Sequence, residues 1–321
     1  MNTKFKFEQY DCKRNAEAKE TLMSEMTLHT VHGISFVERA GRGPSVWPCV
    51  VFLHGIGANA GSFRALFDQL SPALHLLAWT APGYGTSKPL AQTWPTADDY
   101  AVALAEFLDA RRAGVVSSGP ILDGPTLDEP VILVGHSLGT LIGAAFARAY
   151  PVRVARLILA SCAQGYGVPV GGEMPPTVAA RITDLQDLGL LEFARARAPR
   201  LVYRPEAHPD VVATVQDGMY EVNPDGYAQA VRMLASGDLS AMLSNVSVPC
   251  HFITGAEDQV TPPAQTLAAA EAWASAHGQT PQVAQISQAG HAVYVQRPAA
   301  FAATLMRLLD APNVPAPTPT H

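Results

Sequence analysis

One serine is set apart by its neighbours in the sequence. The pentapeptide GHSLG at residues 135–139 follows the aliphatic run 131–134 and precedes a helical run at 140–150. A sharp turn from strand to helix needs small residues on both sides of the serine, because larger side chains would collide there. At the start of a helix, the dipole and the free N–H groups favour the negative charge that develops during acyl transfer. The pattern therefore predicts that Ser137 is a nucleophile.

A serine nucleophile requires a base and an acid, because its hydroxyl is weakly reactive at neutral pH. Of the ten histidines, His291 lies in a loop between a late strand and the last helix, where the base is expected. The acid candidates, Asp258 and Glu257, follow the apolar run 252–254. We prefer Asp258, because a shorter carboxylate in a tight turn is better fixed to hold an imidazole tautomer. The alternatives are that Glu257 is the acid, or that both carboxylates only cap the next helix.

A second turn supplies candidates for stabilising the negative charge. The sequence LHGIG at residues 53–57 follows an apolar run and is similar to the H-G-x-G turn that donates a backbone N–H to an oxyanion hole. We expect the N–H groups of Ile56 and Leu138 to be the two donors. His54 is expected to pack beside this turn rather than to react. A mechanism built from these groups requires no cofactor and no metal.

The elements that position these residues alternate between short apolar runs and longer helical stretches, which predicts an α/β fold with a mostly parallel sheet flanked by helices. An antiparallel pair at 28–31 and 34–39 is expected at the sheet edge. The runs expected to be strands with two covered faces are 50–53, 76–79, 131–134, 157–160, 252–254 and 283–286. The predicted helices are 63–70, 97–112, 138–150, 262–276 and 298–309.

Two interruptions break this alternation and define the predicted domains. Residues 114–129 are rich in Gly, Pro and Ser and indicate a surface excursion. From about 167 to 244 the strand rhythm stops and amphipathic helical pieces follow, at 179–191 and 210–220, which indicates a helical cap inserted into the core. The core is then formed by residues 28–166 and 245–311, between a flexible tail at 1–27 and a disordered tail at 312–321.

Composition excludes several kinds of partner. The chain has 321 residues, of which 48% are hydrophobic and 16% charged, and its net charge of -6 leaves no basic surplus for nucleic acid. Its first residues lack the apolar run of a signal peptide or a membrane span. Cys12, Cys49, Cys162 and Cys250 are scattered without a zinc or redox spacing. We therefore expect a cytoplasmic protein with a small-molecule substrate and no membrane partner.

With these motifs placed, the chain resembles the α/β-hydrolase superfamily over residues 28–310. Four stretches, at 53–57, 81–87 (APGYGTS), 135–139 and 223–227 (NPDGY), are similar to those of the 3-oxoadipate enol-lactonase group. The resemblance implies a hydrolase of esters or enol-lactones, with a place in the bacterial catabolism of aromatic compounds. Thr80 departs from the pattern, because many relatives have aspartate there; this change concerns loop packing.

An enol-lactonase substrate carries carboxylates, so the resemblance also implies a basic residue at the pocket. The sequence does not single out one residue for this role. The cap offers six arginines: Arg181, Arg195, Arg197, Arg200, Arg204 and Arg232.

Three functions are open from the sequence. The first is hydrolysis of a carboxylic ester or lactone through an acyl-enzyme. The second is carbon–carbon bond hydrolysis of a ring-cleavage product; His136 counts mildly against it, because relatives with that activity often have asparagine there. The third is a non-catalytic binding protein of the same fold. Ser137 argues against haloalkane dehalogenases and epoxide hydrolases, which use an aspartate nucleophile.

Overall fold

The sheet organises the whole chain. In the computed structural model, residues 27–42, 46–114 and 130–311 are described, and within them eight strands form one sheet in the order β1-β2-β4-β3-β5-β6-β7-β8. The β1/β2 and β2/β4 pairs are antiparallel, and the other pairs are parallel. The strands are β1 Thr27–Val31, β2 Ile34–Arg39, β3 Val50–Leu53, β4 Leu76–Trp79, β5 Val131–His136, β6 Val154–Ala160, β7 Cys250–Gly255 and β8 Val283–Ile286.

The helices lie between the strands and after the last strand, β8, and the longest helical stretch separates β6 from β7. Short 3₁₀ helices occupy Ala60–Phe63, Pro151–Arg153, Ala198–Leu201 and Pro205–Ala207. The α-helices in the described residues are α1 Arg64–Phe67, α2 Ala97–Arg112, α3 Leu138–Ala149, α4 Pro176–Arg197, α5 Pro209–Tyr220, α6 Pro224–Ser236, α7 Leu239–Leu243, α8 Pro263–His277, α9 Val293–Gln296 and α10 Pro298–Leu309. The predicted α/β architecture with a mostly parallel sheet is confirmed.

Both faces of the sheet are buried because alternate side chains of its central strands belong to two apolar clusters. Val51 and Leu53 of β3 pack with α2, α3 and α8, whereas Val50 and Phe52 pack with α1 and α10. This explains the continuous apolar runs in the sequence. The edge strand β8 is the exception, since two of its four residues are exposed. The expectation of two covered faces was wrong there: Ala284 and Ile286 are buried, whereas Val283 and Gln285 on the other face are exposed, since β8 is the last strand and has a neighbouring strand on one side only.

Two helices differ in extent from the sequence prediction. The segment predicted as a helix at 63–70 has only one α-helical turn, Arg64–Phe67, after a 3₁₀ turn. Beyond it the backbone continues in tighter turns, because the Gln69 N–H donates to the Leu66 carbonyl and the Leu70 N–H to the Phe67 carbonyl, three residues back instead of four. Helix α4 is longer than the predicted 179–191 and is interrupted at Gly189, whose φ of 70° and ψ of 165° are not helical.

We call the helices α4 to α7 the cap. Their division from the rest of the chain at residues 167 and 244 stays a prediction, although Thr27 already belongs to β1 rather than to a tail. The predicted tails at 1–26 and 312–321, and the predicted excursion after Gly114, lie outside the described residues. No helix in the described part of the chain is long and apolar enough to cross a membrane.

Candidate active site

The turn after β5 holds Ser137 in a conformation that few side chains adopt. Its φ of 52° and ψ of -116° lie outside the regions that L-residues favour. A Cβ at Gly135 would lie 2.4 Å from the Gly139 carbonyl oxygen, and one at Gly139 would lie 2.3 Å from the Leu53 carbonyl oxygen. Close backbone contacts therefore require glycine at both positions, and this explains the two glycines of the GHSLG pattern.

His291 and Asp258 meet after the carboxyl ends of β8 and β7. His291 Nδ1 lies 2.9 Å from Asp258 Oδ2, and both side chains are buried. Asp258 Oδ1 accepts the backbone N–H groups of Val260 at 2.8 Å and Thr261 at 3.0 Å. These bonds fix the carboxylate, so that it orients the imidazole with Nδ1–H directed at the acid.

The environment of Asp258 keeps it ionised. Burial alone would raise its pKa, but the charge and hydrogen bond of His291, together with the N–H groups of Thr261 and Val260, lower the pKa to about 2. The aspartate is therefore a carboxylate at neutral pH and accepts a hydrogen bond from the imidazole.

Glu257 has a different partner. Its side chain accepts the Ala289 N–H at 3.0 Å, and its own N–H donates to the Ala289 carbonyl at 3.1 Å. Glu257 thus braces the loop that carries His291. The structure brings Asp258, and not Glu257, to the imidazole.

Thr261, which the sequence reasoning missed, contacts both members of this pair. Its Oγ1 lies 3.0 Å from Asp258 Oδ2 and 3.1 Å from His291 Nδ1. The single hydroxyl proton is donated either to Asp258 or to the Ser161 carbonyl, which is also 3.0 Å away. Its position three residues after the acid, just before the next helix, is the feature of the sequence that could have identified it.

His136 is the second residue that sequence reasoning did not assign. Its Nε2–H donates to the His291 carbonyl at 2.8 Å, and the two ring centroids are 4.9 Å apart. Burial, and then the neighbouring His291, lower the pKa of His136 to about 3, so the ring is neutral. Because His136 directly precedes Ser137, this one side chain ties the nucleophile turn to the loop that carries His291.

A third missed side chain, Gln296, braces the same loop. Its Oε1 accepts the Gly290 N–H at 2.9 Å and the Tyr203 N–H at 3.0 Å, while its Nε2 donates to the Tyr203 carbonyl at 2.7 Å. The loop before His291 is thereby held against the segment that leads out of α4.

The turn after β3 is fixed by a neutral histidine. His54 Nδ1–H donates to the Gly55 carbonyl at 2.8 Å, and Nε2 accepts the Ala81 N–H at 2.9 Å. Burial lowers the pKa of His54 to about 4, which suits this pairing. Ile56 and Leu138 line the same cavity as Ser137. Their assignment as oxyanion-hole donors stays a prediction.

A cavity of about 250 Å³ lies between the strand ends and the cap, with Ser137 and His291 in its wall. Its apolar lining includes Phe193, Met219 and Leu234. Within the described ranges, no cluster of three or more His, Cys, Asp or Glu residues is arranged to hold a metal ion.

Three of the six candidate arginines, Arg181, Arg197 and Arg200, line this cavity. The other three are engaged elsewhere. Arg195 pairs with Glu192 at 2.6 Å, the Arg204 guanidinium lies 5.2 Å from the Tyr203 ring centroid, and Arg232 donates to the Thr93 carbonyl at 3.1 Å.

Comparison with known proteins identifies the family of the chain. Residues 50–304 match the alpha/beta hydrolase family. The chain belongs to the alpha/beta hydrolase family.

Among curated members, the chain is 26% identical over 226 residues to a pimeloyl-[acyl-carrier protein] methyl ester esterase of Vibrio campbellii, a match that covers 69% of this chain and 79% of the relative. It is 23% identical over 217 residues to 3-oxoadipate enol-lactonase 2 of Acinetobacter baylyi, which covers 67% and 73%. The crystal structure of the enol-lactonase from Burkholderia xenovorans LB400 superposes with a TM-score of 0.72 at 22% identity, over 89% of this chain and 100% of that one. This last similarity concerns the alpha/beta hydrolase fold.

Proposed function

We propose that this alpha/beta hydrolase cleaves a carboxylic ester or lactone through an acyl-enzyme on Ser137. His291 takes the proton of the serine hydroxyl as the oxygen attacks the carbonyl carbon, and returns it to the leaving alcohol. Asp258 stabilises the protonated imidazole. The Ile56 and Leu138 N–H groups bind the oxyanion, and water then attacks the acyl group with His291 as base.

One observation carries this proposal: His291, which Asp258 holds at 2.9 Å, and the strained Ser137 line the same cavity. A fixed carboxylate–imidazole pair beside a strained serine fits a nucleophile activated by a general base. The esterases and the enol-lactonase among the relatives support ester or lactone chemistry.

We further propose that the substrate is small and carries a carboxylate, as an enol-lactone of aromatic catabolism does. The cavity volume of about 250 Å³ lies below the roughly 300–1,000 Å³ typical of pockets for drug-sized ligands. Arg181, Arg197 and Arg200 give its wall positive charge, whereas no aspartate or glutamate is among its described lining residues.

A cytoplasmic location forms part of the proposal. Cys49, Cys162 and Cys250 are buried free thiols, and burial raises the pKa of each. Unpaired buried thiols of this kind suit a reducing compartment.

The test is acid release from a panel of neutral esters, anionic esters and lactones, with Ser137→Ala as the blank. The proposal expects release in wild type that falls to the blank rate in Ser137→Ala, while the thermal unfolding temperature of the variant stays within a few degrees. Activity that survives Ser137→Ala would contradict the assignment of the nucleophile. Serine labelling by a fluorophosphonate without release from any ester or lactone would instead favour carbon–carbon bond hydrolysis.

A further inference from the structure

The cap wall of the cavity carries more positive charge than its own carboxylates neutralise. Arg181 and Arg200 lie near enough to Arg197 to help lower its pKa, although burial contributes most. Asp184 raises the pKa of Arg197, and its Oδ2 lies 3.5 Å from Arg197 Nη1. Three guanidinium groups thus line the cavity, while the carboxylate paired with Arg197 is half exposed, so a bound anion would relieve the repulsion between the arginines.

The three arginines differ in the interactions that their side chains already make. Besides its pairing with Asp184, the Arg197 guanidinium lies 5.0 Å from the Phe193 ring centroid, so one face is stacked on an aromatic side chain. Arg200 is exposed, where water weakens its interaction with an anion. Arg181 is half-buried, lines the cavity beside Tyr227, and is close enough to the Tyr227 hydroxyl to lower its pKa. Arg181 is therefore the arginine best placed to hold an anion away from solvent.

Tyr227 adds a second donor at the same place. The Arg181 guanidinium has only donors, so the Tyr227 oxygen can only accept from it, and the phenolic proton remains available for another acceptor. The ring is buried and packs edge-on against Phe193 with centroids 5.3 Å apart. Burial raises the pKa of Tyr227, so the hydroxyl is protonated at neutral pH and can donate.

The backbone fixes where this hydroxyl lies. Gly226 at the start of α6 contacts Gly83 so closely that a Cβ on Gly226 would lie 1.8 Å from the Gly83 carbonyl oxygen. The Asn223 side chain caps the same turn through the N–H groups of Asp225 and Gly226. Tyr227 is thus positioned by the core loop at 81–87 as well as by the cap, which accounts for the NPDGY and APGYGTS motifs together.

We propose that the Tyr227 hydroxyl and the Arg181 guanidinium together bind a carboxylate of the substrate on the cap wall of the cavity, and that this pair determines specificity for anionic esters or lactones. The inference rests on the proposed function, since it assigns the specificity of the same site. It predicts that the pair contributes to substrate binding and leaves the chemical step at Ser137 unchanged.

Two matched esters test the pair: phenyl hydrogen adipate, whose acyl chain ends in a carboxylate, and phenyl hexanoate, whose chain of equal length ends in a methyl group. A hydrogen bond to a charged group is worth enough to change KM by about tenfold to a hundredfold. We expect Tyr227→Phe and Arg181→Gln to raise KM for the anionic ester by this factor, with kcat and the kinetics of the neutral ester within twofold. Arg195→Gln, in the same helix but outside the cavity, is the control and should change neither.

A binding measurement separates failure of this inference from failure of the proposed function. In the Ser137→Ala background, calorimetry with phenyl hydrogen adipate should show the same loss of affinity on adding Tyr227→Phe or Arg181→Gln. Binding without any turnover in wild type would overturn the proposed function and leave the anion site standing. Equal Kd values with and without the two substitutions, no measurable binding of the anionic ester, or equal losses for both esters, would overturn the inference.

Discussion

Two buried carboxylate–imidazole pairs lie at opposite ends of the parallel strands. Asp258 and His291 follow β7 and β8, whereas Glu38 of β2 meets His75, which directly precedes β4, with Nε2 2.5 Å from Oε1. Both pairs are buried and within hydrogen-bond distance. Arg111 also binds Glu38, with Nε 2.8 Å from Oε2 and Nη2 2.9 Å from Oε1.

The difference lies in what else each pair faces. The charge of Glu38 is neutralised by the fixed guanidinium of Arg111, and His75 Nδ1 is buried without a hydrogen-bond partner among the described residues. His291, by contrast, lines a cavity, and the partners of Asp258 besides the imidazole are neutral N–H and O–H groups. A short carboxylate–imidazole contact is therefore not enough to identify a candidate catalytic pair. The carboxylate must keep its charge for the imidazole, and the ring must reach a substrate.

The largest expected effect comes from breaking the pair at the cavity. Asp258→Asn keeps the size of the side chain but removes the charge and favours the wrong imidazole tautomer, so kcat should fall by about 10⁴-fold. Steady-state kinetics on the best ester of the panel would measure this loss.

Glu257→Gln is the matched control for Asp258→Asn, because it changes the adjacent carboxylate in the same way. We expect kcat to change by less than about tenfold, since Glu257 acts on the Ala289 backbone and not on the imidazole. A harmless Asp258→Asn combined with a severe Glu257→Gln would reverse the assignment of the acid.

The pair of Glu38 and His75, which lies away from the cavity, should affect stability instead of catalysis. Glu38→Gln leaves the Arg111 charge buried without its counter-ion, which should cost about 3–5 kcal/mol of unfolding free energy. Urea unfolding measures this cost, and kcat per folded molecule should stay within twofold of wild type. A loss of kcat at unchanged stability would contradict the division between the two pairs.

The same variant has a predicted pH signature. Burial alone raises the pKa of Glu38, but His75 and Arg111 outweigh it and lower the pKa below the ordinary value of 4.5. A carboxyl whose pKa is lower in the folded state contributes stability above its unfolded pKa, and that contribution is lost as the pH falls through the folded pKa. Glu38→Gln should therefore lose less stability on acidification below about 4.5 than wild type does.

The smallest expected effect comes from Thr261→Val, which removes the hydroxyl beside the reactive pair. One hydrogen bond of about 1 kcal/mol would reduce kcat about fivefold. The pair would then lack its side-chain brace while keeping the bonds from the Val260 and Thr261 N–H groups. A fall as large as that of Asp258→Asn would show that the hydroxyl is needed to orient His291 as much as the carboxylate is.

Much of the sheet and of the candidate site could be predicted because each depends on a local rule. GHSLG specifies a turn that only glycines permit, and alternation of apolar runs with helical stretches specifies the parallel sheet. Once the strand order is fixed, the loops after β5, β7 and β8 meet at one edge, which brings Ser137, Asp258 and His291 towards one cavity.

The remainder depended on contacts between distant segments. Thr261, His136 and Gln296 act through hydrogen bonds whose partners no sequence pattern reveals, and the interruption at Gly189 depends on a single φ angle. The six cap arginines could not be ranked, because the sequence does not show which of them the folded cap turns towards the cavity, and three of them lie in the interrupted helix α4. Only the cavity lining separated Arg181 from Arg195.

The contact between Gly83 and Gly226 has a consequence for engineering this protein. Because the two backbones touch, a cap transplanted from another hydrolase must bring a glycine to the Gly226 position, or its aromatic residue at position 227 will be displaced. An exchanged cap would therefore have to keep the contact between Gly83 and Gly226. Libraries that vary the cavity lining should leave both glycines unchanged and draw their diversity from the side chains between Arg181 and Arg200.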